Sequence, residues 1–181
     1  MVVSWPTALA ALKPLGRIDV GQTVLIHAAA GGTGQAAVKM AKHYGARVIA
    51  VASPDKHEVA RALGADLVLE SVGGATLEAS LAATKRITGR VVVYGLAGGE
   101  AAITNWDLVY KHQIHLIGLN IGILIQASPQ IFGEVMTEMF GLIAAGVLGP
   151  GQPAIYALAD GPRALAELEA RATVGKLALV P

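Results

Sequence analysis

The chain has 181 residues, of which 54% are hydrophobic and only 15% are charged, and its net charge is +1. This length supports one domain with a sizeable core, while the even charge balance gives no basic stripe for nucleic acid and no apolar run is long enough to span a membrane. Because the sequence contains no cysteine, disulfides and cysteine-ligated zinc are excluded. Together these features lead us to expect a cytoplasmic protein without nucleic-acid or membrane partners.

The mean hydropathy of +0.55 is high for a chain without a membrane span. Two interpretations fit it. A parallel sheet that is buried on both faces consists of nearly continuous apolar strands. Alternatively, part of the apolar surface is covered by a partner or by a further domain.

In chain order, a helix is predicted over residues 4–12, starting near Pro6 with Ser4 as its candidate N-cap. Next come a strand over residues 23–26 and a helix over residues 34–44 that Gly45 ends. A second apolar strand follows at 47–52. Ser53 and Pro54 carry the cap and first-turn signals of a further helix, which ends at Gly64.

Strands and helices continue to alternate to the end of the chain. A strand is predicted within residues 64–72, before the turn at Gly73 and Gly74, and further strands at 90–94, 114–119, 154–156 and 176–180. Helices are predicted at 76–85, from their cap to Lys111, from Pro129 to the residue before Gly146, and at 162–171. Thr104 or Asn105 is the candidate cap of the helix that runs to Lys111. Asp160 is the candidate cap of the helix at 162–171. Gly146 is expected to end the helix that Pro129 opens. This alternation predicts a doubly wound parallel sheet.

The stretch from His27 to Val38, HAAAGGTGQAAV, is the strongest local signal. An apolar strand leads into a glycine-rich turn and then into a helix rich in small residues. This arrangement directs the N-terminus of a helix at a diphosphate, and glycine permits a close approach of the backbone. The alternative is a tight turn with a purely structural role.

The end of the second strand indicates which dinucleotide would bind. NAD-binding folds usually carry an acidic residue there, which binds the ribose 2′-hydroxyl. This sequence has Ser53 instead, with Lys56 in the next helical turn. A hydroxyl and a nearby cation favour a 2′-phosphate, and therefore NADPH. Alternatively, Lys56 is an ordinary solvated lysine beside a helix cap.

Several separate segments together resemble one family. They are VLIHAAAGGTGQAAVKMAKHYGARVIAVASPDKHEVARALGAD, ESVGGATLEASL, GRVVVYGLAGG and GKLALVP. The chain is similar to the Rossmann-type nucleotide-binding domain of the medium-chain dehydrogenase/reductase superfamily, in its zinc-independent quinone oxidoreductase branch. Ala29, Gly31 and Gly34 stand at the three glycine positions of the usual fingerprint.

This resemblance implies an NADPH site built from the turns that follow successive strands. Its cofactor-binding residues would be Ala30, Gly31, Gly32, Thr33, Gly34, Ser53, Lys56, Gly73, Tyr94, Gly95, Leu119, Asn120 and Lys176. Ser53 and Lys56 would face the 2′-phosphate, and Leu119 and Asn120 would pass the nicotinamide. Thr7 lies in the family's helix at the domain junction. There are plain alternatives for two of these residues. Tyr94 would only fill the end of its strand, and Lys176 would be a solvated charge.

The sequence departs from the family in two respects. The family's separate GroES-like catalytic domain is not present before residue 1, so residues 1–181 are expected to form one dinucleotide-binding domain with residues 1–22 as junction helix and linker. In addition, only four residues separate Asp66 from Ser71, whereas a crossover with its helix needs at least about ten. One strand–helix unit is therefore expected to be missing, and it would be the edge strand of the usual order 3-2-1-4-5-6.

No catalytic or metal-binding residue is indicated. The five histidines lack a metal-ligand spacing, and Ser80 lacks the G-x-S-x-G turn of a hydrolase. The family passes a hydride from NADPH to a quinone or an activated alkene, and we expect quinone oxidoreductase activity of the intact protein. The alternatives are an enoyl reductase, including those of polyketide synthases, a domain with no preference between NADH and NADPH, and a non-catalytic dimerisation module. A homodimer through the apolar strand 114–119 is expected.

Overall fold

The computed structural model describes residues 3–51, 64–149, 153–170 and 172–181. Five strands form one parallel sheet in the order β2-β1-β3-β4-β5. They are β1 Thr23–His27, β2 Arg47–Val51, β3 Leu67–Glu70, β4 Arg90–Val93 and β5 His115–Gly118. A separate pair of parallel strands, β6 Ala154–Ala157 and β7 Leu177–Val180, lies near the C-terminus.

Six α-helices lie in the described ranges. They are α1 Ser4–Leu12, α2 Gly32–His43, α3 Gly74–Ala83, α4 Ile121–Ala127, α5 Pro129–Ala144 and α6 Gly161–Glu169. A π-helical segment, Asp107–His112, precedes β5. Thr104 caps its first turn, because its hydroxyl accepts a hydrogen bond from the N–H of Asp107 and the Asp107 carboxylate accepts one from the N–H of Thr104.

The core forms on both faces of the sheet, because neighbouring residues of a strand point to opposite faces. Val24 and Ile26 pack with buried residues of α1, α2 and α5, whereas Leu25 packs with Leu77 and Leu81 of α3 on the other face. All five residues of β1 are buried. The continuous apolar strand signal therefore arises from burial on two sides, and the predicted doubly wound parallel sheet is confirmed.

The missing unit is visible in the strand order. In the usual numbering the observed strands correspond to 2-1-4-5-6, with β3 following β1 directly in the sheet: Val24 pairs with Leu67, and Ile26 with Leu69. Within the described residues β2 forms one edge of the sheet, where strand 3 of the complete fold would pair.

The structure corrects several predicted element boundaries. Ser4 is the first residue of α1 and not its cap, which is Val3. Helix α2 begins at Gly32, two residues earlier than predicted. Asp160 is the N-cap of α6 as predicted, but its side chain makes no capping hydrogen bond and pairs with Arg163 at 3.1 Å. Gly146 follows α5 with φ +73°, which confirms the predicted helix end.

Two features were not predicted at all. The segment after β5, which received no element assignment from the sequence, forms the short helix α4. The last two strands form their own small sheet and do not extend the main one. The helix predicted to open at Ser53 and Pro54 lies outside the described residues.

Candidate functional site

The glycine-rich turn joins β1 to α2 through two tight backbone contacts. Ala28 has φ +49°, an unusual value for a residue with a side chain. The N–H of Ala29 donates to the carbonyl of Val51 on the neighbouring strand at 3.1 Å, and the N–H of Gly31 donates to Ala28 at 2.9 Å. The chain thus reverses immediately beyond the carboxyl end of β1, and Gly31 is in position to begin the helix.

Gly34 allows the first turn of α2 to lie directly on this reversal. A Cβ atom at position 34 would collide with the carbonyl oxygen of Ala28 and would approach Cα of Ala29 to 2.7 Å. Both neighbours are backbone atoms and cannot rotate away. The third fingerprint position thus packs against backbone of its own turn, and only glycine fits there.

The N-terminus of α2 presents free hydrogen-bond donors. Gly31 is the N-cap and supplies no side-chain acceptor, and the first N–H that bonds to its carbonyl belongs to Gln35, at 2.9 Å. Within the described part of the chain, the N–H groups of Gly32, Thr33 and Gly34 have no backbone acceptor outside the helix. Such donors, together with the helix dipole, form an anion-binding site.

Lys176 lies beside this helix start. Its Cε would be 2.7 Å from a Cβ at Gly32, and its Nζ donates to the Ser4 hydroxyl at 2.9 Å. The preceding residue, Gly175, donates its N–H to the carbonyl of Ala30 at 3.1 Å. A cation near a helix N-terminus is unfavourable by itself.

A second group of predicted residues surrounds a cavity beyond the ends of β4 and β5. The cavity has a volume of about 590 Å³, and Tyr94, Gly95, Leu119 and Asn120 lie in its wall. Because the strands are parallel, these residues lie at the same edge of the sheet as the glycine-rich turn. Leu96, Ile123 and Leu124 make much of the remaining wall apolar.

Two residues of this cavity have defined polar states. Burial raises the pKa of Tyr94 to about 12, opposed in part by its hydrogen bond with Ser71, so its phenol is protonated at neutral pH. The side-chain oxygen of Asn120 accepts from the N–H groups of Gly122 and Ile123 at 2.9 and 3.2 Å. Asn120 is therefore the N-cap of α4, and only its NH₂ group remains available to a ligand.

The remaining predicted site residues do not join this cavity. Gly73 is buried, its N–H donates inward to Glu70 at 3.0 Å, and the carbonyl oxygen of Gly99 closes the space where a Cβ would lie. Thr7 is buried in α1 and bonds to the carbonyl of Val3. Ser53 and Lys56 lie outside the described residues, so the structure does not test the predicted 2′-phosphate contacts.

The sequence reasoning missed a buried polar cluster of His27, Glu70 and Ser80. The Ser80 hydroxyl lies 2.5 Å from Oε2 of Glu70 and 3.0 Å from Nε2 of His27. An acid directly after the apolar run Leu67–Leu69 was the available signal, because a buried carboxylate requires partners. All three side chains are at most 2% exposed, so the cluster cannot meet a substrate as a hydrolase triad does.

Within the described residues there is no group of three acidic or histidine side chains that could hold a metal ion. In the same part of the chain, no helix is both long and apolar enough to cross a membrane.

A family model described as zinc-binding dehydrogenase matches residues 44–179. The chain therefore belongs to this family, and the predicted membership of the medium-chain dehydrogenase/reductase superfamily, with quinone oxidoreductases among its relatives, is confirmed. The word zinc in the family description assigns no metal to this chain.

Curated relatives with two kinds of name match the chain. The chain is 33% identical to erythronolide synthase EryA2 of Saccharopolyspora erythraea over 198 residues, covering 98% of this chain and 5% of that protein. It is also 33% identical to a quinone oxidoreductase of Pseudomonas aeruginosa over 190 residues, covering 89% of this chain and 57% of the relative. Both alignments are longer than the 181-residue chain, so these relatives carry residues that it lacks.

Solved structures support the same fold. Mycobacterial Rv1454c in complex with NADPH matches with a TM-score of 0.86 at 27% identity, over 100% of this chain and 64% of that one. The CurK enoyl reductase matches with a TM-score of 0.80 at 27% identity, over 98% and 60%. The chain thus spans less than two thirds of the length of these relatives.

Proposed function

We propose that residues 1–181 form the NADPH-binding domain of an oxidoreductase that transfers a hydride to a quinone or to an activated alkene, with quinone oxidoreductase as the preferred activity. The observation that carries the proposal is the donor-rich start of α2 beside Lys176, directly after the central strand β1. This is the geometry that binds the diphosphate of a dinucleotide.

The residues present fit that cofactor. The N–H groups from Gly32 to Gly34 and the ammonium group of Lys176 would hold the diphosphate, and the cavity at Tyr94, Gly95, Leu119 and Asn120 would take the nicotinamide end. Ser53 and Lys56 remain the proposed contacts of the 2′-phosphate. When bound, NADPH supplies the hydride, and the chain's own residues bind it, orient it and exclude water with an apolar wall.

An enoyl reductase is the second candidate. The similarity to a spectinabilin polyketide synthase system protein over 98% of the chain and the match to the CurK enoyl reductase favour it as much as the quinone oxidoreductase matches favour the first. Both reactions need the same cofactor domain. Assays of the full-length parent protein with a benzoquinone and with an enoyl thioester separate the two candidates.

The proposal includes a homodimer in the cytoplasm. Strand β5 lies at the edge of the sheet and pairs on one side only, with β4, in the part of the chain that the structure describes. An unpaired parallel edge with the apolar residues Leu116 and Ile117 suits pairing with a second copy. A dimer that binds no nucleotide would favour the non-catalytic module.

A nucleotide titration tests the proposed function. We expect micromolar binding of NADPH, seen as enhanced and blue-shifted nicotinamide fluorescence, with weaker binding of NADH. Gly34→Val is the matched disabling variant, because its side chain has no space at the turn, and its folding is checked by circular dichroism. Equal affinity for both nucleotides removes the NADPH preference, and the absence of any binding by the wild-type chain overturns the proposal.

A further inference from the structure

The buried carboxylate of Glu70 lies between the two turns that follow β1 and β3. Glu70 is the last residue of β3, Ser80 faces it from α3, and His27 is the last residue of β1. Glu70 and Ser80 are 0% exposed and His27 is 2% exposed. A carboxylate in such a position costs desolvation free energy unless every lone pair is used, so its contacts define what it does.

One carboxylate oxygen orders the turn after β3. Oε1 of Glu70 accepts hydrogen bonds from the N–H groups of Val72 and Gly73 at 2.5 and 3.0 Å. Gly73 has φ +76°, a conformation that glycine adopts without strain. The two N–H groups therefore point toward the enclosed carboxylate and fix the backbone of the turn that follows β3.

The turn after β3 is in turn hydrogen-bonded to the segment that follows β4. The carbonyl of Val72 accepts from the N–H of Gly98 at 2.5 Å, and the N–H of Gly74 donates to the carbonyl of Gly99 at 3.0 Å. The backbone N–H of Tyr94 in turn donates to the carbonyl of Glu70 at 2.9 Å. A displacement of Glu70 would thus move the segment that carries Tyr94 and Gly95.

The other carboxylate oxygen fixes Glu70 through Ser80. The hydroxyl of Ser80 has one hydrogen, and both the Glu70 carboxylate and the carbonyl of Thr76 are acceptors within 2.8 Å. The Ser80 oxygen also lies 3.0 Å from Nε2 of His27. The cluster connects the end of β1, where the glycine-rich turn starts at Ala28, to the end of β3.

We infer that Glu70, held by Ser80 and His27, is a positioning residue that sets the turns after β1, β3 and β4 in the arrangement that binds the dinucleotide. The inference rests on the proposed function, because it assigns these turns to the cofactor. Glu70 does not touch the cofactor, since its carboxylate is enclosed.

Ser80→Ala is the principal test and Thr84→Ala is its matched control. Ser80 is buried on α3, and Thr84 is the buried residue directly after its end. Both hydroxyls donate to a backbone carbonyl four residues earlier, but Thr84 has no contact with Glu70 in the described structure. We expect both variants to lower the melting temperature similarly. Only Ser80→Ala is expected to speed amide exchange at Val72 and Gly73 and to raise the Kd for NADPH, by roughly three- to tenfold.

Substitutions at Glu70 supply a rescue experiment. Glu70→Gln retains an acceptor oxygen for the N–H groups of Val72 and Gly73, so its Kd should stay within about threefold of the wild type. Glu70→Ala removes that acceptor and should raise the Kd beyond the value of Ser80→Ala. If Glu70→Ala does not fold, the inference is tested by two comparisons of the Kd for NADPH. The first compares Glu70→Gln with the wild type, and the second compares Ser80→Ala with Thr84→Ala.

The outcomes separate this inference from the proposed function. Equal Kd values for Ser80→Ala and Thr84→Ala, with normal NADPH binding by the wild type, overturn the positioning role and leave the proposed function intact. Unchanged amide exchange in Ser80→Ala also overturns it. Failure of the wild type to bind NADPH overturns the proposed function and, with it, the role assigned to Glu70.

Discussion

The ammonium group of Lys176 donates a hydrogen bond of 2.9 Å to the hydroxyl of Ser4, which joins residues 172 positions apart in the sequence. Next to it, the N–H of Gly175 bonds to the carbonyl of Ala30. The segment before β7 therefore lies against both the first helix and the glycine-rich turn. This contact brings a positive charge to the helix start that is proposed to bind the diphosphate.

Replacing Lys176 by Met should weaken NADPH binding with little change in stability. The side chain is exposed, so its loss should change the free energy of unfolding by less than about 0.5 kcal/mol. Loss of a cation beside a diphosphate should raise the Kd by roughly five- to thirtyfold at low salt, and the salt dependence of binding should flatten. Isothermal titration at two ionic strengths measures both effects.

Lys42→Met is the control for this experiment, because Lys42 is an exposed lysine at the opposite end of α2. Its Kd should match the wild type. Similar Kd values for Lys176→Met and Lys42→Met would show that Lys176 contributes only to the net charge of the domain. Lys176 would then not belong to the diphosphate site.

Gly32 and Gly34 should respond differently to alanine. At position 34 a Cβ meets rigid backbone of Ala28 and Ala29, and we expect Gly34→Ala to lose about 1–3 kcal/mol of stability. At position 32 the Cβ meets the end of the flexible Lys176 side chain, which can move, so stability should change by less than about 0.5 kcal/mol. Urea denaturation compares them. Equal losses would show that the turn is not packed as described.

Tyr94 should make stability fall in alkaline solution. Burial raises its pKa from 10.0 to about 12 in the folded chain. As the pH rises through this window, the unfolded chain releases the proton first, so unfolding becomes more favourable. Tyr94→Phe should show a smaller decrease of stability over the same window, measured by urea denaturation at several pH values. Tyr44, whose pKa is also raised by burial and by Glu138, leaves a residual decrease.

His112 should have the opposite pH dependence. Burial, and then the charge of Lys111, lower its pKa below the ordinary value of 6.5. As the pH falls below that value, the unfolded chain takes up the proton first, and stability decreases. Its buried Nε2 also has no hydrogen-bond partner in the described structure, so His112→Leu should be neutral or up to about 1 kcal/mol stabilising at neutral pH.

His43→Leu, at an exposed histidine in the last turn of α2, is the control. The acid-induced loss of stability should remain in this variant and should decrease in His112→Leu. A steeper loss in His112→Leu would contradict the assigned direction.

The parallel sheet could be predicted because each central strand is a short apolar run that reflects burial on two faces. The helix from Ile121 to Ala127 was not predicted. It is short, and its N-terminus is capped by the side chain of Asn120. The small sheet of β6 and β7 was missed for another reason. Both strands carried the correct pattern, but their pairing joins segments about twenty residues apart, and a strand pattern does not identify its partner.

The sequence by itself determined the strand–turn–helix at Thr23–His43, because backbone conformation at glycines and the burial of apolar runs are encoded locally. Only the tertiary structure decided that Lys176 stands at the start of α2, that Gly73 faces inward, and that Glu70 shares a hydroxyl with His27. These contacts join residues distant in the chain. Their stability comes from the closed environment of the folded core, where buried polar groups must find partners wherever the sheet brings them.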